Sequence, residues 1–244
     1  MQHERFVAEI RNQCAALRSA AIAAGPDAQV PTCPGWTVHR LVAHLARVQS
    51  WARAALRDPT GKDVRAGRRP EDWDELLVWW DEQLSGMIDG LADPASPAWL
   101  PWRGVPRNAG SWARRQAHEA AIHRLDAEHA RAGNDDPDAV AALVFDPEFA
   151  ADGIEELAGW LLPSRATANT STCSGSVFLH AADAGRSWTL RIEPGVAPTF
   201  SAGGLEGDLT IAGTADSVYR RLWGRPSHAT VTGDTTLLEP LAAP

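Results

Sequence analysis

The chain has 244 residues, 44% of them hydrophobic and 22% charged, a make-up that buries a core and fits one large or two small domains. Its net charge of −8 and its single lysine, Lys62, exclude the basic stripe of a nucleic-acid binder. No apolar run approaches the ~20 residues of a membrane span, the N-terminal MQHERFVAEIRNQC lacks a signal-peptide core, and three scattered cysteines make no disulfide framework, so the expectation is a soluble, cytoplasmic protein.

The first two thirds read as helices. Phe6, Ile10, Cys14, Leu17 and Ala21 mark one helical face. VPTCPGW breaks the chain, with Pro34-Gly35 suited to a type II turn. Thr37 is placed to cap a second helix running to about Leu56, with Leu41, Leu45, Val48 and Ala52 on one face. Residues 58–70 are polar and read as a loop. A third helix is expected over Asp72 to Leu91, then a proline-rich connection, then a fourth helix from about Gly110 to Ala132. Asp146-Pro147 supplies a cap and a first-turn proline for a fifth helix reaching Leu162.

The pattern changes after Pro163. Residues 166–176 read as a small, polar linker. Short strands are expected at 177–179, 188–192, 209–211 and 229–232, with a helix capped by Thr214 running to Leu222. The expected fold class is therefore α+β: a helix bundle over residues 1–165, a linker over 166–176, and a small α+β domain over 177–244.

Chemistry is suggested by polar residues on apolar faces. His44 lies in the stripe of Leu41, Leu45 and Val48. Glu119 and His123 are four apart and share a helical face, about 5–6 Å between Cβ atoms, on the same side as Trp112 and Ile122. An inward carboxylate is costly unless paired or bound to a metal, and a His₂Glu set with one open position is the composition of a catalytic zinc site. Helix bundles build metal sites from facing helices in this way. The plain alternative, a hydrogen-bonded core histidine and an exposed i,i+4 contact, accounts for the same spacing.

Asp126, three residues after His123, either orients that imidazole or is a solvated charge. His118 lies about 100° around the helix from Glu119 and is left out of the cluster. His3, His39, His129, His180 and His228 read as surface or loop residues, and Cys33 as a small turn residue rather than a reactive thiol. No phosphate-loop, dinucleotide, G-x-S-x-G or C-x-x-C motif is present.

Three segments together carry a family resemblance. VPTCPGWTVHRLVAHLARVQSWA (30–52), GVPRNAGSWARRQAHEAAIHRLDAEHA (104–130) and GDLTIAGTADSVYRRLWGR (207–225) resemble, in this order, the signatures of the mycothiol-dependent maleylpyruvate isomerase family within the DinB-like superfamily. The resemblance implies a DinB-like four-helix bundle followed by a small α+β domain. It implies a divalent metal, zinc first, held by His44, Glu119 and His123. It further implies that a C-terminal arginine binds a substrate carboxylate: Arg225 first, Arg221 second, with Arg220 a further choice. The implied partners are mycothiol, a low-molecular-weight thiol, and a small electrophile such as a dicarboxylate, with the chain a monomer or homodimer. The implied reaction is thiolate addition to that electrophile, as maleylpyruvate isomerase or as a related thiol S-transferase. A non-catalytic DinB-like metal-binding module is the competing expectation.

Overall fold

The computed structural model describes residues 1–165 and 172–241. They form two compact units, the first of residues 1–101 with 105–140, the second of residues 102–104 with the chain from 141 onward.

The first unit is four long helices: α1 (His3–Ala24), α2 (Val38–Arg57), α3 (Trp73–Gly90) and α4 (Ala109–Ala132). The starts of α2, α3 and α4 follow from side-chain capping of unpaired N–H groups. Thr37 accepts from the Arg40 N–H, Asp72 from those of Asp74 and Glu75, and Asn108 from that of Ser111. Gly133, at φ 76°, stops α4 in the left-handed region that favours glycine. In the core, Ile10 and Leu17 of α1, Leu41 and Leu45 of α2, and Leu76 and Trp80 of α3 are almost fully buried.

Helix α4 departs from the expected one-sided amphipathic helix. Of its 24 residues, 17 are buried, many of them alanine, so neighbouring chain approaches it closely on several sides. His118 and His129 are consequently both fully buried. His118 meets the Phe6 ring edge-on, and the His129 Nδ1 lies 3.0 Å from the Asn134 carbonyl oxygen. The surface assignment of His129 is thereby corrected.

In the second unit, α5 (Pro147–Glu156) is capped by Asp146 and runs through a π-helical turn (Leu157–Leu161) into α6 (Leu162–Arg165). A five-stranded sheet follows, from β1 (Gly175–Ala181), β2 (Arg186–Ile192), β3 (Thr199–Ala202), β4 (Leu209–Gly213) and β5 (Thr230–Gly233), in the order β3-β2-β1-β4-β5. Only the β1–β4 pairing is parallel. Helix α7 (Ala215–Leu222) connects β4 to β5.

The fifth helix thus belongs to the unit that begins at Ala141. Residues 166–171 of the expected linker lie outside the described residues, and Gly175 and Ser176 already pair in β1. β3 is a strand not anticipated from the sequence: T-F-S-A alternates polar and apolar, but over only four residues with one large apolar side chain.

Candidate metal centre

Helix α2 brings His44, and α4 brings Glu119 and His123, onto one point. The three ligand atoms lie within 4.8 Å of one another. Glu119 Oε1 is 3.1 Å from His44 Nε2 and 3.3 Å from His123 Nε2. A cation held tetrahedrally at the usual zinc–nitrogen and zinc–oxygen distances separates its donors by about 3.3–3.5 Å. The donor set therefore fits a divalent metal in number, chemistry and spacing. The openness is uneven: the His44 side chain is 37% exposed, against 15% for Glu119 and 9% for His123. The open side of the cluster is therefore the one at His44.

Glu119 and His123 are each held from behind. Arg115, one turn before Glu119 and buried, donates from Nη2 to Glu119 Oε2 at 2.9 Å, which leaves Oε1 directed between the histidines. Asp126 is fully buried and lies 3.0 Å from His123 Nδ1, which turns Nε2 towards the centre. This is the carboxylate–histidine arrangement that fixes the ring of a metal ligand. Asp126 is in turn held by the segment before α2: the Thr32 hydroxyl donates to Oδ1 at 2.6 Å and the Cys33 thiol to Oδ2 at 3.4 Å. Trp36 stacks on His123, 6.3 Å between centroids, and tilts against His44 at 5.1 Å, with the Arg40 guanidinium over its ring. VPTCPGW is thus a buttress, and Asp126 is an orienting group rather than a solvated charge.

The electrostatics follow from this packing. Burial pushes the Glu119 carboxyl up, but hydrogen bonds from His123 and His44, with the charges of His123 and Arg115, hold it well below the usual carboxylate range. Burial pushes His123 down, yet its bonds to Asp126 and Glu119 prevail and raise it from about 6.5 to about 9. Without metal, His123 is an imidazolium at neutral pH, and a metal must displace that proton to bind Nε2. Between pH 6 and 9 the apparent metal affinity is expected to rise about tenfold per pH unit. Competition with a chromophoric chelator at pH 6, 7 and 8 measures this, and a flat profile would contradict it. For the metal-free fold the sign is the reverse. The raised pKa stabilises below about pH 6.5, and that contribution is lost as pH climbs through about 9.

Beside His44 opens a cleft of about 680 Å³. Val48 and Trp51 of α2 line it, with Val64 and Ala66 of the loop that follows; Arg47 and Arg65 join them.

The C-terminal arginines lie in the second unit and are not among the gathered ligands. Arg220 is buried, pairs with Asp216 at 2.9 Å, donates to the Leu143 carbonyl and covers the Phe145 ring, so its guanidinium is taken up by the fold. Arg221 closes α7 half-buried. The L-W-G-R sequence is a helix stop: Gly224, at φ 68°, donates to the Arg221 carbonyl and Arg225 to that of Arg220, the paired bonds of a Schellman cap. The Arg225 side chain donates to the Trp223 carbonyl at 2.7 Å.

Sequence reasoning reached His44, Glu119, His123 and Asp126. It missed Arg115, Thr32 and Trp36 as supports of the centre. Arg115 was visible in principle as an inward arginine four residues before Glu119. Thr32 was not, because its partner lies 94 residues away.

Known proteins supply an independent comparison. The family model described as the mycothiol maleylpyruvate isomerase N-terminal domain matches residues 7–128, and that of the C-terminal domain of the same family matches residues 148–240. Two solved structures share the fold, a mycothiol-dependent maleylpyruvate isomerase and a histidine-to-alanine mutant of it. Each is 16% identical, with TM-scores of 0.60 and 0.62, covering 96% of this chain and 95% of theirs. No curated protein sequence matches the chain.

Proposed function

Because the chain belongs to the mycothiol maleylpyruvate isomerase family, we propose that it is a mycothiol-dependent isomerase whose metal is held by His44, Glu119 and His123. The observation that carries this is the convergence of three ligand atoms on one point, with His123 oriented by a buried Asp126. Zinc suits the donor set best. When bound, the metal keeps a coordinated thiol as the thiolate, the form that adds reversibly to a cis double bond and so permits rotation about it.

The chain's own residues prepare that chemistry. Arg115 offsets the Glu119 charge and fixes its free oxygen. Asp126 accepts the Nδ1 proton of His123 in a hydrogen bond and leaves Nε2 to the metal. Trp36 walls one side of the two imidazoles, and exposed His44 leaves the cleft side open to thiol and electrophile. The family resemblance offers Arg225, and after it Arg221, as the cation for a carboxylate of the electrophile, an assignment that competes with Arg47 and Arg65 of the cleft. Arg225→Ala is then expected to raise KM or lower kcat about tenfold with metal content and thiol binding unchanged; wild-type kinetics in both single variants would remove these arginines from the reaction.

The direct test is to incubate the metal-loaded protein with mycothiol and maleylpyruvate and follow the products by NMR. The trans isomer, fumarylpyruvate, with mycothiol regenerated, is expected. A stable thioether would make the protein an S-transferase, and no reaction with metal bound would leave a non-catalytic metal-binding module.

No protein thiol is required. The Cys14 thiol is buried and pushed up to about 12 despite a bond from Gln49, which makes it inert. Cys33 serves as a donor to Asp126, a task serine can perform. A variant with serine at Cys14, Cys33 and Cys173 is expected to keep most of its turnover with added mycothiol. Loss of chemistry from Cys33→Ser alone, with the fold intact, would identify Cys33 as the nucleophile instead.

A further inference from the structure

The cleft beside His44 has a charge that the rest of the chain does not. The chain carries 31 acidic residues against 23 Lys and Arg, so an exposed arginine has carboxylates in plenty to meet. Yet among the described residues the lining of this cleft holds two arginines and no acid. Among the described residues neither Arg47 nor Arg65 has a hydrogen-bond or ion-pair partner.

Their placement is built in. Arg47 is three residues after His44, so His44, Arg47, Val48 and Trp51 form one stripe of α2, about 10 Å from end to end. Arg65 comes from the loop between α2 and α3, and that loop is pinned to α2 nearby. The Gly67 N–H donates to the Ser50 hydroxyl at 2.9 Å. A Cβ at Gly67 would stand 2.9 Å from that oxygen and 3.0 Å from the Trp79 ring, so a larger residue would push one of them aside. The seat fixes Val64, Arg65 and Ala66 along the cleft. With the two cations the cleft is lined by Val48, Trp51, Val64 and Ala66, apolar surface that lowers the local dielectric and strengthens attraction for an anion.

We propose that Arg47 and Arg65 are a substrate-binding pair that grips the carboxylates of a short dianionic electrophile, holding its carbon chain against Trp51 and its reactive end towards His44. The identity of the ligand rests on the proposed isomerase reading; the anion site itself rests on the cleft. Planar guanidinium groups match carboxylates bidentately, and two of them in one cleft favour a dicarboxylate over a monocarboxylate.

The probe is succinate, which has no double bond to react, titrated calorimetrically into the metal-loaded protein, with dimethyl succinate as the uncharged control. Succinate is expected to bind saturably, more weakly as salt screens the charges, and the diester not to bind. Arg47→Ala and Arg65→Ala are each expected to weaken succinate about tenfold or more, with unchanged metal content, while Arg69→Ala in the same loop has no effect. No binding by wild type, or equal binding by wild type and both cleft variants, would overturn the proposal. Turnover separates it from the isomerase reading. Loss of succinate binding in the variants, in a protein that does not isomerise maleylpyruvate, would uphold the anion site and reject the reading. An active wild type whose kcat/KM is untouched by both substitutions would do the opposite.

Discussion

Glu119→Ala is expected to abolish turnover and to destabilise the bundle, whereas His44→Ala is expected to abolish turnover alone. Glu119 is both a proposed metal ligand and the carboxylate that faces buried Arg115 across 2.9 Å. Removing one member of a buried ion pair costs up to about 3–5 kcal/mol, because the remaining charge stays out of water. His44 is one third exposed and its loss strands no buried charge. Glu119→Gln separates the two roles, since an amide oxygen still accepts from Arg115 while its neutral head makes a poor metal ligand. It should fold nearly as well as wild type and hold little metal. Thermal unfolding read beside metal analysis decides the matter. Equal stability of Glu119→Ala and His44→Ala would show that Arg115 does not depend on Glu119.

The second large effect is on stability and lies away from the centre. Gln49 is fully buried on α2, where it accepts from the Trp80 indole N–H at 2.8 Å and donates to Cys14 Sγ at 3.2 Å. One side chain thus joins α1, α2 and α3 through polar contacts inside the core. Gln49→Leu keeps the volume but leaves the indole N–H without its acceptor, at a cost of about 1–3 kcal/mol. Each of those lowers Tm by about 2–4 °C in a chain of this size. Adding Trp80→Phe, which removes the stranded donor, should make the two losses less than additive. Strict additivity would mean that the pair does not act through this bond. Metal binding should be unaffected by either change.

What could be read from the sequence was whatever local rules encode. Thr37, Asp146 and Thr214 cap the helices they were expected to cap. The candidate ligands were legible because a helix places residues three or four apart on one face, so Glu119 and His123 had to be neighbours. His44 on an apolar stripe completed the set. Legibility failed where tertiary context decides. Alanine-rich α4 has no single apolar face, so its periodicity gave no warning that His118 and His129 are buried. The supports of Asp126 are its contacts with Thr32 and Cys33, more than ninety residues away. β3 gains its order from pairing with β2 rather than from its own four residues.

The central claim is that this centre holds a metal that accepts a thiol. Cobalt substitution tests it most directly, by titrating mycothiol into the cobalt-loaded protein and following the visible spectrum. A saturable change, absent from the His44→Ala/His123→Ala variant, is the expected result. A cobalt spectrum that mycothiol leaves unchanged, with one ion bound per chain, would contradict it.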